Sequence, residues 1–343
     1  MKIDGNVGGP VNSDAVVSLT DIAAQAQAAE EVGYDGVWTA ETSHDPFLPL
    51  MVAAERSSKL TLGTSIAVAF ARNPMTVATT ANDLHAYSEG RFILGLGTQI
   101  KAHIERRFSM PWSEPVKRMR EFIGALHAIW TSWETGDPLR FHGDFYRHTL
   151  MTPMFSPGVN PWGRPAVMLA AVGPKMTAVA AEAADGLLAH GFTTELYMRE
   201  VTIPQVEAGL RTSGRTREQY TVSYPGLIAT GTDERSFEAA CRGVRGQISF
   251  YGSTPAYRGV LDMHGWGDLH EELHALSLRG EWQTMATLID DDVLNTFAVV
   301  GEPEQIGPEV LRRFDGLVDR FSIYAPYDLD DAVRARIVAD LHA

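Results

Sequence analysis

One alternation recurs along most of this chain: a short apolar run, a turn, then a stretch whose apolar residues return at helical spacing. Each cycle takes about 30 residues, the length of one βα unit. The first runs from Met1 to Gly8, where Ile3 and Val7 alternate with polar or small residues. A turn-rich stretch follows, and then Leu19, Ile22, Ala23, Ala26 and Ala29 share a helical face that Gly33 terminates. Strands are then expected at Tyr34 to Thr39, Leu60 to Ala67 and Arg91 to Gly97, with helices at Leu48 to Ser57, Thr76 to Ser88 and Pro115 to Trp133. Further strands are expected at Ala166 to Ala171, Gly186 to Ala189, Val222 to Ala229 and Phe321 to Tyr324. They are separated by helices at Lys175 to Ala184, Leu196 to Thr212 and Ser236 to Tyr251. Eight near-even units favour closure into a (β/α)8 TIM barrel over an open doubly wound sheet.

Two excursions interrupt the rhythm. One, near 134–165, is broken by Pro138, Pro153, Pro157 and Pro161; the other spans 252–299. Neither reads as a linker, so a single domain over 1–343 is expected. A hydrophobic fraction of 45% is enough to build its core.

Charge narrows the partners. With 43 acidic against 29 basic side chains the net charge is −14, which repels nucleic acid and anionic membranes where no basic block offsets it. Residues 1–15 lack a signal-peptide pattern, and no apolar run approaches the roughly 20 residues of a membrane span, so a cytoplasmic protein is expected. Cys241 stands alone, which excludes an internal disulfide and a cysteine metal cluster.

In a parallel barrel the chemistry gathers where strands end. After the second strand, Glu41, His44 and Asp45 bring two carboxylates and an imidazole together. His44 is the candidate acid or base, with Glu41 or Asp45 to orient it; the competing reading is a loop histidine beside a capping aspartate. The third strand runs through Ser65 and Ile66 into Phe70 without polar dilution, which fits either close approach to a flat ligand or a packed barrel mouth. After the fourth, Gly95 and Gly97 resemble part of a dinucleotide fingerprint, but Ile100 fills the third glycine position. Thr98, Gln99 and His103 are pocket candidates instead. Val172, Gly173, Pro174 and Lys175 form a turn before a helix, an arrangement that suits an anion and also serves as plain punctuation. Phe47, Phe70, Trp112 and Phe192 are available to make an apolar pocket.

One motif points elsewhere. His270, Glu271 and His274 satisfy the H-E-x-x-H pattern of zinc hydrolases, yet Ser277 and Gly280 miss the extended motif and no third ligand follows. The pair is read as exposed helix histidines, with no metal expected. No G-x-S-x-G elbow is present to support serine chemistry.

Five segments, AQAAEEVGYDGVWTAE (26–41), LTLGTSIAVAFARNPMTVA (60–78), LHAYSEGRFILGLGTQ (84–99), AAVGPKMTAVAAEAADGL (170–187) and FAVVGEPEQI (297–306), stand in an order and spacing that resemble the luciferase-like monooxygenase and coenzyme F420-dependent oxidoreductase superfamily. HIERRFSMPW (103–112) looks like the F420-using group. The resemblance implies a ring system in the barrel mouth, resting on a bulge with a non-proline cis peptide at Ser65-Ile66. It also implies a cofactor phosphate on Val172 to Lys175 and near Gly191 and Phe192. Two departures matter: Thr42 rather than histidine follows Glu41, and Ile100 replaces an acid common after the fourth-strand glycines.

The resulting expectation is hydride transfer between F420 and a small, hydrophobic organic substrate. The alternatives are an FMN-dependent monooxygenase using reduced flavin and O2, and a non-catalytic flavin or deazaflavin carrier. A homodimer, and a separate flavin or F420 reductase, are the implied partners.

Overall fold

The computed structural model describes residues 1–8 and 18–343, so the turn-rich stretch expected after the first strand falls on 9–17, outside the described residues. Eight parallel strands close on themselves. They are β1 (Lys2–Asn6), β2 (Gly36–Thr39), β3 (Thr61–Thr64), β4 (Phe92–Gly97), β5 (Ala166–Ala171), β6 (Gly186–Ala189), β7 (Thr221–Ala229) and β8 (Arg320–Tyr324). Each pairs with the next, and β8 pairs with both β7 and β1, which completes a (β/α)8 barrel.

Local signals set the helices that wrap it. Ser18 and Asp21 cap Leu19–Val32 reciprocally, and Gly33 ends it at φ 98°, a conformation that glycine adopts at least cost. Asn73 accepts from Thr76 N and Pro74 opens Pro74–Tyr87. The helix expected over 196–212 is interrupted by a wide turn at Met198–Thr202, because Pro204 has no N–H to continue the regular ladder. A last helix, Asp331–His342, extends the chain beyond the expected final strand.

Inside the barrel, side chains stack in layers. At the floor, Arg320 Nε and Nη2 donate to the two carboxylate oxygens of Asp4 at 2.8 and 2.6 Å, both side chains being buried. Gly36 leaves them room, since a Cβ there would lie 2.6 Å from Arg320 Nη2. Above this pair, Trp38 packs with Met168 and Leu188, and Ile66, Ile93 and Ala170 close over them. The indole lies where Gly63 has no side chain; a Cβ there would meet it at 2.2 Å.

Both excursions are built structures. In the first, a hairpin (Phe141–His142 with Arg147–His148) is pinned by the Glu121 carboxylate, which accepts from the N–H groups of Asp144, Phe145 and Tyr146. The second is helical (Arg258–Met263, Gly267–Leu278, Trp282–Thr287 and Asp291–Phe297) and ends in a short strand, Ala298–Val300, that pairs with the end of β7. It builds a core of its own around Leu261, Leu273, Met285 and Phe297.

Candidate functional site

The third strand does not run to Ala67 as expected. It stops at Thr64, the Ser65–Ile66 peptide is cis, and the chain rejoins the sheet at Ala67–Val68 against Leu96 and Gly97. Three hydrogen bonds hold this bulge: Ser65 N–H to Thr39 O at 2.7 Å, Glu41 N–H to Ile66 O at 3.2 Å, and Val68 N–H to the Glu41 carboxylate at 2.7 Å. The fourth-strand glycines serve it too. A Cβ on Gly95 would lie 1.8 Å from Thr64 O, and one on Gly97 would lie 2.8 Å from Ile66 Cγ1. These glycines admit the third strand, which accounts for their spacing without a dinucleotide fold. Ser65 is exposed at the mouth and Ile66 is half-buried.

The loop after β2 differs from expectation. Glu41 and Asp45 do not orient His44. Arg72 Nη1 bonds Glu41 at 2.5 Å and its Nη2 bonds Asp45 at 3.1 Å, while Asp45 also accepts from Phe47 N and Leu48 N to start the next helix. Two carboxylates satisfied by one guanidinium have little reason to turn elsewhere. His44 is exposed, with no hydrogen-bond partner among the described residues. Arg72 lay inside a recognised segment, but its long-range pairing leaves no mark in sequence spacing.

After β4, Thr98 Oγ1 donates to Gln99 O, Gln99 adopts φ 60°, and its side chain accepts from Ile100 N. His103 is exposed at the start of the wide turn His103–Arg107, and Arg107 reaches back to Thr42 O, tying two mouth loops together. After β5, Val172 and Gly173 are half-buried and Pro174 and Lys175 exposed. No side chain caps the helix Pro174–Ala183, and a Cβ on Gly173 would meet nothing within 4 Å. That helix start is open to a ligand.

After β6 the expectation fails in part. Phe192 is 1% exposed and stacks on Phe297 at 4.5 Å, within the core of the second excursion. Its backbone N–H is already used by His190 Nδ1 at 3.0 Å, and buried Gly191 packs against Pro225 and Tyr324. Phe47 and Phe70 are likewise core residues; of the expected pocket aromatics only Trp112 is half-buried, edge-on to Phe70.

The structure adds a cluster that sequence reasoning missed. His190 directly follows β6 and packs against the rings of Tyr251 and Tyr257, with centroids at 4.7 and 4.5 Å. Tyr251 and Tyr324 hydroxyls meet at 3.1 Å, Tyr324 being the last residue of β8. Burial lowers His190 to about 4 and raises Tyr257 to about 12; Tyr251 and Tyr324 are also raised, chiefly by burial. His190 and Tyr324 were findable, since one directly follows β6 and the other ends β8. Tyr251 and Tyr257 come from a helix end and the excursion after it, whose folding over the mouth left no periodic signal.

The zinc-like histidines, expected from sequence to be exposed, instead cap a helix. His270 is buried and His274 half-buried, and their Nδ1 atoms bond Gly252 O at 2.7 Å and Ser253 O at 2.9 Å at the end of Glu234–Gly252. Glu271 pairs with Arg258, and no group of three metal-ligating side chains occurs among the described residues. No helix among those residues is long and apolar enough to cross a membrane.

A closed parallel barrel with a shaped ledge and an open helix start at its C-terminal mouth defines the class: a (β/α)8 barrel whose candidate site lies where its strands end. Residues 4–320 match the luciferase-like monooxygenase family, and the chain belongs to that family of oxidoreductases. It is 53% identical over 320 residues to an uncharacterised protein of Mycobacterium tuberculosis, covering 93% of this chain and 92% of that one. It is 32% identical over 327 residues to an F420-dependent glucose-6-phosphate dehydrogenase of Intrasporangium calvum, covering 88% and 87%. The F420-dependent tetrahydromethanopterin reductase of Methanopyrus kandleri shares the fold, with a TM-score of 0.78, 20% identity and coverage of 99% and 96%.

Proposed function

We propose that the protein is an F420-dependent oxidoreductase that moves a hydride between the deazaflavin and a small, hydrophobic organic substrate. One observation carries this reading: the Ser65–Ile66 ledge, seated over Gly97, faces the same mouth as the open helix start at Gly173. A flat ring with an anionic tail needs both features, and the residues fit such a group. The relationship to an F420-dependent dehydrogenase at 32% identity supports the same choice of cofactor.

Ser65, Ile66, Thr98, Gln99 and His103 would line the ring. Val172, Gly173, Pro174 and Lys175 would hold the tail through helix N–H groups and one positive charge. Gly191 would contribute only backbone, and Phe192 would support that wall from behind. When bound, F420 supplies a ring carbon that accepts or donates a hydride. His44, exposed on the loop after β2, would exchange the substrate proton with solvent. Arg72 positions that loop by holding Glu41 and Asp45.

The test is a titration of purified protein with oxidised and reduced F420 and FMN, followed by absorbance and calorimetry. F420 binding without FMN binding is expected. FMN binding alone would replace this reading with the reduced-flavin, O2-using monooxygenase, and F420 binding with no turnover of any substrate would leave a carrier.

A further inference from the structure

We propose that His190, Tyr251, Tyr257 and Tyr324 form a subsite for the oxygen of an uncharged carbonyl compound, such as a ketone or an α,β-unsaturated ketone. The proposal deepens the reading above, on which it rests for the hydride chemistry.

The placement comes first. His190 and Tyr324 occupy the C-terminal ends of β6 and β8, and Tyr251 and Tyr257 reach over them from the end of Glu234–Gly252 and the turn after it. All four residues are half-buried rather than fully enclosed.

Proton inventory comes second. Phe192 N–H donates to His190 Nδ1, so in the neutral ring the proton resides on Nε2, which donates. Nε2 has no protein partner among the described residues, and it is not among the fully enclosed atoms. Tyr251 and Tyr324 share one hydrogen bond, so one of their two hydroxyl protons lies between them and the other is free. Tyr257 brings another hydroxyl. The cluster therefore holds three N–H or O–H protons, on His190 Nε2, on one of Tyr251 and Tyr324, and on Tyr257, without a partner among the described residues.

Charge comes third. Among the described residues burial alone acts on His190, and apart from burial Tyr251, Tyr257 and Tyr324 respond only to one another, with no Asp, Glu, Lys or Arg side chain of those residues acting on any of them. A phosphate or carboxylate would enter this space without a counter-charge, at a desolvation cost a neutral oxygen avoids. A carbonyl oxygen accepts two hydrogen bonds in its own plane and gains partial negative charge as a hydride reaches its carbon or the conjugated carbon. Preorganised neutral donors favour that change. Anion recognition falls instead to the neighbouring strand end, at Gly173 and Lys175 after β5.

The experiment measures binding of three probes to the purified full-length protein by calorimetry and saturation-transfer NMR: cyclohex-2-enone, cyclohexanecarboxylate and methylcyclohexane. Enone binding is expected to exceed that of both others. Tyr324→Phe and His190→Leu should each weaken it about threefold to tenfold, the range for one lost neutral hydrogen bond, while His190→Gln, which keeps a donor, restores most of it. If Tyr324→Phe does not fold, Tyr257→Phe takes its place. Carboxylate binding tighter than enone, no enone binding, or equal binding by the variants and the parent protein overturns the subsite. These measurements need no cofactor, so failure to bind F420 would refute the function proposed above and leave the subsite to stand or fall alone.

Discussion

The buried pair at the barrel floor offers the sharpest stability test. Asp4→Asn keeps the shape of the side chain but removes the charge opposite Arg320, whose side chain is 5% exposed and stays in place. Leaving one member of a buried ion pair uncompensated costs about 3–5 kcal/mol. Part is recovered: the asparagine oxygen can still accept one of the two bonds, and the Trp38 ring lies 5.7 Å from the guanidinium. Together these return about 1 kcal/mol, so the net loss is about 2–4 kcal/mol. Urea unfolding followed by circular dichroism reads it as a lower midpoint at unchanged slope. The double variant Asp4→Leu/Arg320→Met, which removes both charges, should recover most of the loss. A single-variant loss below about 1 kcal/mol would refute the argument, because it would mean that water or another group reaches Arg320.

Other outcomes follow from the same geometry. Gly97→Ala places a Cβ 2.8 Å from Ile66 and should weaken F420 binding about tenfold in an absorbance titration, whereas unaltered affinity would detach the ledge from the ring site. Phe192→Ala should cost about 3–5 kcal/mol of stability yet change F420 affinity by less than about twofold, as befits a core residue. His127 and His190 are both held at about 4 by burial, below the ordinary value of about 6.5 that applies when unfolded. Between those values the unfolded chain binds more protons, so stability falls as pH drops from about 6.5 to about 4, by at most about 1.4 kcal/mol per pH unit for each histidine. Denaturation midpoints measured across that window check the slope. His44→Ala should lower turnover more than tenfold with cofactor affinity intact, and an unchanged rate would exclude it from proton exchange.

The barrel was legible because its signal is periodic. Each strand is a short apolar run and each helix a 3.6-residue repeat, so the strand positions from Ile3 to Tyr324 could be read off with small shifts at their ends. The ledge was legible only through resemblance: nothing in the run from Leu60 to Ala67 separates a bulge from a straight strand. Side-chain partnership was the least legible layer. Glu41, His44 and Asp45 are neighbours in sequence, but Arg72 claims both acids from across a turn, and such choices follow three-dimensional proximity. Phe192 was misplaced for a related reason, because the partner that buries it, Phe297, is far along the chain in an excursion without a regular pattern.

The second excursion also bears on how molecules enter and leave. His270 and His274 bolt its second helix to the end of Glu234–Gly252, and its final strand is stitched to β7 at Leu227, Ile228 and Ala229. A segment fastened at both ends and packed through an apolar core shared with Phe192, Leu227 and Val244 lacks the loose ends of a swinging flap. It is a fixed wall over β6 to β8. The exposed residues His44, Ser65, Ile100 and His103 stand on the loops after β2 to β4 instead, so on the proposed function that rim is the way in for a substrate.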